Sequence, residues 1–149
     1  PIVQCIRRAK LGGDFGLARE IGCWMALRPA VATGAIEAVC PVPQHWRRAA
    51  ARGYNQALEI ARPIAAALNA PLFPAGLSRR RGEPQRGLAR RERLVNVAGR
   101  MSADPRLAAL RVLVVDDVTT TGATMREAFR ALRAVGAREV IGWAAAAVD

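Results

Sequence analysis

RVLVVDDVTTTGAT, residues 111–124, is the stretch from which the fold can be read. Val112, Leu113, Val114 and Val115 are aliphatic and mostly β-branched, and the run is too short for a helix. It predicts a strand buried on both faces and ending at Asp116 and Asp117. After Thr119, Thr120, Thr121, Gly122 and Thr124, the apolar residues Met125, Ala128, Phe129, Leu132 and Val135 recur at the spacing of a helix with one apolar face. Strand, small polar loop and helix together make an anion site. Backbone N–H groups and threonine hydroxyls surround the anion at the positive end of the helix, and Gly122 removes a side chain that would block close approach. Carboxylates repel an anion, so Asp116 and Asp117 must face another part of the same ligand: hydroxyls that donate hydrogen bonds, or a divalent cation. A phosphate with vicinal hydroxyls a sugar's width away describes a ribose 5-phosphate. The plain structural alternative is a parallel strand closed by an acidic turn and a helix N-cap. No Gly-Lys-Ser/Thr closes a Walker A loop here, and no GxGxxG marks a dinucleotide site.

Outward from this stretch, 149 residues with 52% hydrophobic content predict a single domain, 1–149, with a sizeable core. No apolar run reaches the roughly 18 residues that span a membrane, and no basic, apolar leader is visible. The expectation is a cytoplasmic chain without membrane insertion; Pro1 in place of Met suggests a processed, trimmed or incompletely represented N-terminus. Net charge is +11, and every basic residue except Lys10 is arginine. Arginine suits bidentate contacts to phosphate, so an anionic ligand or nucleic acid is implied. Codon bias and a solvated arginine face are the alternative. Clustering distinguishes one segment: Arg79, Arg80, Arg81, Arg86, Arg90, Arg91, Arg93 and Arg100 face only Glu83 and Glu92. Cys5, Cys23 and Cys40 are widely spaced and form no CxxC, which argues against a disulfide framework or an intrachain zinc site. They read as small core residues.

Residues 1–35 read as helical, with Asp14 as N-cap, Leu17, Ile21 and Trp24 or Met25 at helical spacing, and Pro29 as terminator. This segment packs on the core or forms a flap over a site. Ile36 to Val42 predicts a second buried strand, ended by Pro43. The loop after it, QHWRRAAARGYNQ, carries the chain's single histidine, His45. In an open parallel sheet, ligands bind beyond the carboxyl ends of the strands, where this loop and the Asp-Asp loop both lie. For His45 alone, a structural or surface imidazole is the alternative. A helix over Asn55 to Leu68 follows, kinked or begun at Pro63 and ended by Asn69 and Pro71. Leu72 to Leu77, with Pro74 and Gly76, suits a short edge strand. Residues 78–100 are too polar and too broken for core, and read as a flexible basic loop or lid. A disordered insertion or a nucleic-acid surface is the other reading of that segment, weakened by its lack of stacking aromatics. Gly136 resembles a C-cap, and Arg138 to Val148 reads as a last strand. Alternating elements imply a three-layer α/β domain with a mainly parallel central sheet.

VLVVDDVTTTGAT resembles the phosphoribosyl-pyrophosphate (PRPP) binding motif of the type I phosphoribosyltransferases. CPVPQHWRRAAARGYNQALEIARPIAAAL, residues 40–68, is similar to the Pro-Val-Pro-x-His and Arg-Gly-Phe/Tyr-Asn-Gln pattern of the ComF/GntX competence-protein family, a branch of that fold. RRRGEPQRGLARRERLVNVAGRM, residues 79–101, resembles its arginine-rich loop ending in Arg-x-x-Asn. A looser match runs over Ile2 to Leu27. Two departures stand out: no four-cysteine zinc module precedes Ile2, and Gly82, Glu83 and Pro84 replace a Thr-Pro-Pro or similar run.

The resemblance implies a type I phosphoribosyltransferase-like fold and PRPP chemistry. Asp116 and Asp117 would hold the ribose hydroxyls as the catalytic pair and meet Mg²⁺ indirectly, through PRPP or water. Thr119, Thr120, Thr121, Gly122, Ala123 and Thr124 would hold the 5-phosphate. Pro43, Gln44, His45, Arg47 and Arg52 would lie at the pyrophosphate, with Arg79, Arg80, Arg81, Gln85 and Arg93 on the flexible loop. Implied partners are PRPP and an unidentified acceptor, with DNA or the DNA-uptake machinery, or nucleotide sensing, for a non-catalytic member.

Overall fold

The computed structural model describes residues 15–27, 35–44, 54–79 and 101–147. The expectations for Cys5, Asp14, Pro29, His45, Arg47, Arg52, Arg80, Arg81, Gln85 and Arg93 lie outside these residues. In chain order the elements are α1 (Phe15–Ala26), β1 (Ala38–Pro41), α2 (Gln56–Ala67), β2 (Leu77–Arg79), β3 (Met101–Ala103), a 3-10 turn (Pro105–Leu107), β4 (Arg111–Thr119), α3 (Ala123–Ala134) and β5 (Glu139–Ala147).

The central sheet has the order β1-β4-β5, with β4 parallel to both neighbours. Alternation along β4 separates two cores. Leu113 and Val115 pack with Ile21, Met25, Ile60 and Ile64 of α1 and α2, whereas Val112 and Val114 pack with Ala128, Ala131 and Leu132 of α3. Both faces of β4 are thereby removed from water, which is why the run is uniformly aliphatic and why the domain has three layers. Each fully buried Val or Leu contributes about 1.5–3 kcal/mol.

The α1/α2 layer depends on one small residue. A Cβ at Gly22 would collide with the Ile60 carbonyl oxygen and lie 2.6 Å from Pro63 Cγ, so only glycine lets the two helices touch there. α2 runs through Pro63 as one element. Asn55 caps it, its Oδ1 accepting from Ala57 N at 3.1 Å, and Asn69 closes it with φ 48°. The α3 C-terminus ends on Gly136 at φ 85°. Gly136 N donates to Arg133 O and Ala137 N to Leu132 O, the paired bonds of a Schellman motif.

Several boundaries differ from the sequence expectation. β4 does not stop at the acids but continues to Thr119, because β5 pairs alongside it, Asp116 opposite Ala144 and Thr119 opposite Ala147. Main-chain pairing, not side-chain polarity, sets its end. Leu72 makes only an isolated bridge to Val39, and Pro74 and Gly76 fall in a turn. The strand begins at Leu77 and pairs antiparallel with β3, Leu77 opposite Ala103 and Arg79 opposite Met101. Ser78 and Arg79 therefore belong to a strand and not to the basic loop. On α1 it is Met25 that is buried, while Trp24 is 47% exposed. Cys40 is a core residue, its thiol pushed up to about 12 by burial and secondarily by the Asp104 charge, so it stays protonated and unreactive. Cys23 lies exposed on α1, contrary to its reading as core, because the buried stripe of that helix is Ala18, Ile21, Gly22 and Met25. No helix among the described residues is long and apolar enough to cross a membrane.

Candidate active site

β1 ends beside the middle of β4, since Pro41 lies opposite Val115 and Val42 N donates to Val115 O at 2.8 Å, and β4 runs on in the same direction to Thr119. The chain leaving β1 and the loop between β4 and α3 thus depart from one edge of the sheet. Asp116 and Asp117 stand at that edge. Asp116 is 8% exposed and Asp117 half-buried. Asp116 Oδ1 accepts from Asp117 N at 2.8 Å, and Asp117 Oδ1 accepts from Val118 N at 2.7 Å. These amide contacts fix the directions of the two carboxylates.

The following loop turns at Gly122, the N-cap of α3, in the left-handed region at φ 68°, ψ 5°. An L-residue there would carry roughly 1–2 kcal/mol of steric cost. No side chain caps the helix at this position, and its first turn carries no acid, so the positive end of the α3 dipole keeps its field. Thr121 Oγ1 accepts from Ala123 N at 3.4 Å, a long bond. Thr120, Thr121 and Ala123 are exposed, and Thr119, Gly122 and Thr124 half-buried.

On the β1 side, Pro43 and Gln44 are half-buried, and Asn55 Nδ2 donates to Val42 O at 3.1 Å, tying the start of α2 to the end of β1. Arg79 Nε donates to Pro43 O at 3.1 Å. One residue expected in the basic loop is thereby joined to one expected at the pyrophosphate. From the other side, buried Glu127 Oε1 accepts from Met101 N at 3.1 Å, fastening β3 to α3.

Three residues at this edge escaped sequence reading. Asn55 was read as part of the loop after β1 and as a helix boundary, not as a tether, and Glu127 not at all, since both act on the main chain of distant segments. Arg126, in the first turn of α3, donates from Nη1 to Thr121 O at 2.8 Å. A cation in the first turn of a helix opposes the dipole, and that misplacement was the available signal.

The phosphoribosyl transferase domain family matches residues 55–147. Over 96% of its length the chain is 32% identical to Competence protein F of Haemophilus influenzae, of which it spans 66%, just under two thirds. Among solved structures, glutamine PRPP amidotransferase from B. subtilis superposes with a TM-score of 0.60 at 24% identity, covering 86% of this chain and 26% of that one. Purine phosphoribosyltransferase from Pyrococcus horikoshii gives 0.53 at 16% identity, covering 87% and 79%. The chain belongs to the phosphoribosyl transferase domain family and has the type I phosphoribosyltransferase fold. Within that family it is ComF-like.

Proposed function

We propose that this chain works as one phosphoribosyltransferase-like domain, binding PRPP and passing its ribose 5-phosphate to a nucleophile with release of pyrophosphate. The observation that carries the reading is the succession, at one sheet edge, of Asp116 and Asp117, a hydroxyl-rich turn, and the N-terminus of α3, whose N-cap is the left-handed Gly122 without a capping side chain. Carboxylates suit the ribose hydroxyls, and Thr119 to Thr124 suit the 5-phosphate. Cleavage of the C1–O bond of PRPP develops positive charge on the sugar and negative charge on the leaving diphosphate. Asp116 and Asp117 stabilise the first, while Pro43, Gln44, His45, Arg47 and Arg52 are assigned to the second. Arg80, Arg81, Gln85 and Arg93 of the basic segment that follows β2 would exclude water, which competes as nucleophile.

The adjacent carboxylates are hard oxygen donors of the kind Mg²⁺ takes while keeping water and substrate phosphate oxygens, so Asp116 and Asp117 would hold it indirectly. When bound, the ion neutralises charge on the departing diphosphate. The chain's place of action is the cytoplasm in this reading.

Asp116→Asn/Asp117→Asn is the direct test. Calorimetric titration with PRPP and Mg²⁺ gives binding to the parent and at least a tenfold loss in the double variant; equal binding removes the assignment. Isotope-labelled PRPP incubated with a pool of bases and amines, read for pyrophosphate release, separates turnover from binding.

The likeness to Competence protein F supports a second reading, a non-catalytic PRPP-fold protein in DNA uptake or nucleotide sensing. It requires salt-sensitive DNA binding that falls when Arg79, Arg80 and Arg81 are replaced.

A further inference from the structure

Resting on the reading of residues 119–124 as the 5-phosphate loop, we propose that Arg126 is a further phosphate ligand, supplying the fixed cation that the motif itself lacks. Its location is electrostatically adverse for the protein alone. In the first turn of α3 it faces the positive end of the helix dipole. Arg130, also exposed, follows at i+4, a like-charge pair that destabilises a helix. Neither neighbouring element relieves this with an acid that the structure shows bonded to Arg126. Glu127, the next residue, is buried and accepts from Met101 N.

The side chain nevertheless turns back over the loop. Nη1 donates to Thr121 O at 2.8 Å and lies 3.2 Å from where a Cβ of Gly122 would be. A guanidinium has five N–H donors in a planar fork; a carbonyl takes one of them and leaves the charge uncancelled. The cation is thus held beside the glycine that admits the anion, by a neutral acceptor of the same loop. A phosphate dianion at that turn would meet the α3 amides, the threonine hydroxyls and the Arg126 fork together, so Arg126 selects for the charge of the phosphate monoester. The diphosphate end of PRPP lies outside its reach in this assignment.

Two probes separate these roles: ribose 5-phosphate and inorganic pyrophosphate, each titrated into the full chain. For Arg126→Ala the expected result is at least tenfold weaker ribose 5-phosphate binding with pyrophosphate affinity within about twofold of the parent. Arg126→Lys, which keeps charge but loses the fork, falls between. Phosphorus NMR adds a readout that a merely structural role would not move. The second ionisation of ribose 5-phosphate, near pH 6 when free, shifts down on binding to the parent and less so on binding to Arg126→Ala. Unchanged ribose 5-phosphate affinity in Arg126→Ala, or an equal loss for both probes, overturns the proposal while leaving the loop assignment to the Asp116/Asp117 test. A parent that binds neither ribose 5-phosphate nor PRPP overturns the loop assignment and this proposal with it.

Discussion

The two ends of β4 handle arginine in opposite ways. At the amino end, arginines meet acids: Arg111 Nε lies 2.8 Å from Glu139 Oε2, and Arg138 Nη2 lies 2.7 Å from Glu37 Oε2, which also accepts from Arg111 N at 2.8 Å. At the carboxyl end, arginines meet carbonyls: Arg126 donates to Thr121 O and Arg79 to Pro43 O. A salt bridge cancels charge, whereas a bond to a carbonyl holds charge in place and leaves its field intact. One end is therefore neutralised and serves the fold. At the other, Arg126 and Arg79 stand with Asp116 and Asp117, cations and carboxylates held side by side by main-chain groups, the pattern expected where a ligand carries both an anion and hydroxyls.

Substitutions at the two ends should separate binding from stability. The largest effect belongs to Asp116→Asn/Asp117→Asn, which removes the two carboxylates proposed to accept from the ribose hydroxyls. Charged hydrogen bonds contribute about 1.5–3 kcal/mol each, so PRPP affinity should fall tenfold or more in calorimetry while the urea midpoint moves little. Next is Glu37→Ala, which leaves the Arg111 amide without its carboxylate and costs about 1–3 kcal/mol in urea unfolding, with ligand affinity unchanged. A large loss of affinity there would erase the distinction between the ends. Gly122→Ala places an L-residue at φ 68° with its Cβ 3.2 Å from Arg126 Nη1. It should lower stability by about 1–2 kcal/mol and also weaken ribose 5-phosphate binding, since the strained turn is the one proposed to hold the phosphate. Smallest is Arg138→Ala, an exposed pair worth at most about 1 kcal/mol, detectable as a shift in thermal midpoint that shrinks with added salt.

What could be read from the sequence follows from how local its cause is. β4 and α3 were legible because both faces of one and one stripe of the other are apolar, and Gly136 because helix termination is written in a single residue. The end of β4 was misread because Asp116 and Asp117 look like a terminus, while the partner that prolongs the strand, the alanine run 144–147, lies distant in sequence. β3 was missed for the same reason: its three residues, with Ser102 in the middle, carry no period and exist as a strand only opposite β2. At the site, the acids, threonines and glycine were visible as a motif. Arg126 was not, because its importance depends on a side chain folding back five residues to a carbonyl.

The pairing of β2 with β3 has an evolutionary consequence. Arg79 and Met101 stand opposite one another, so the chain that departs after one strand and returns at the other enters and leaves through neighbouring doors. Loop-closure cost grows only slowly with length, and such a span can be lengthened, shortened or exchanged without disturbing the register beneath it. What that span carries can therefore change as a cassette while the central sheet and its two cores keep their packing.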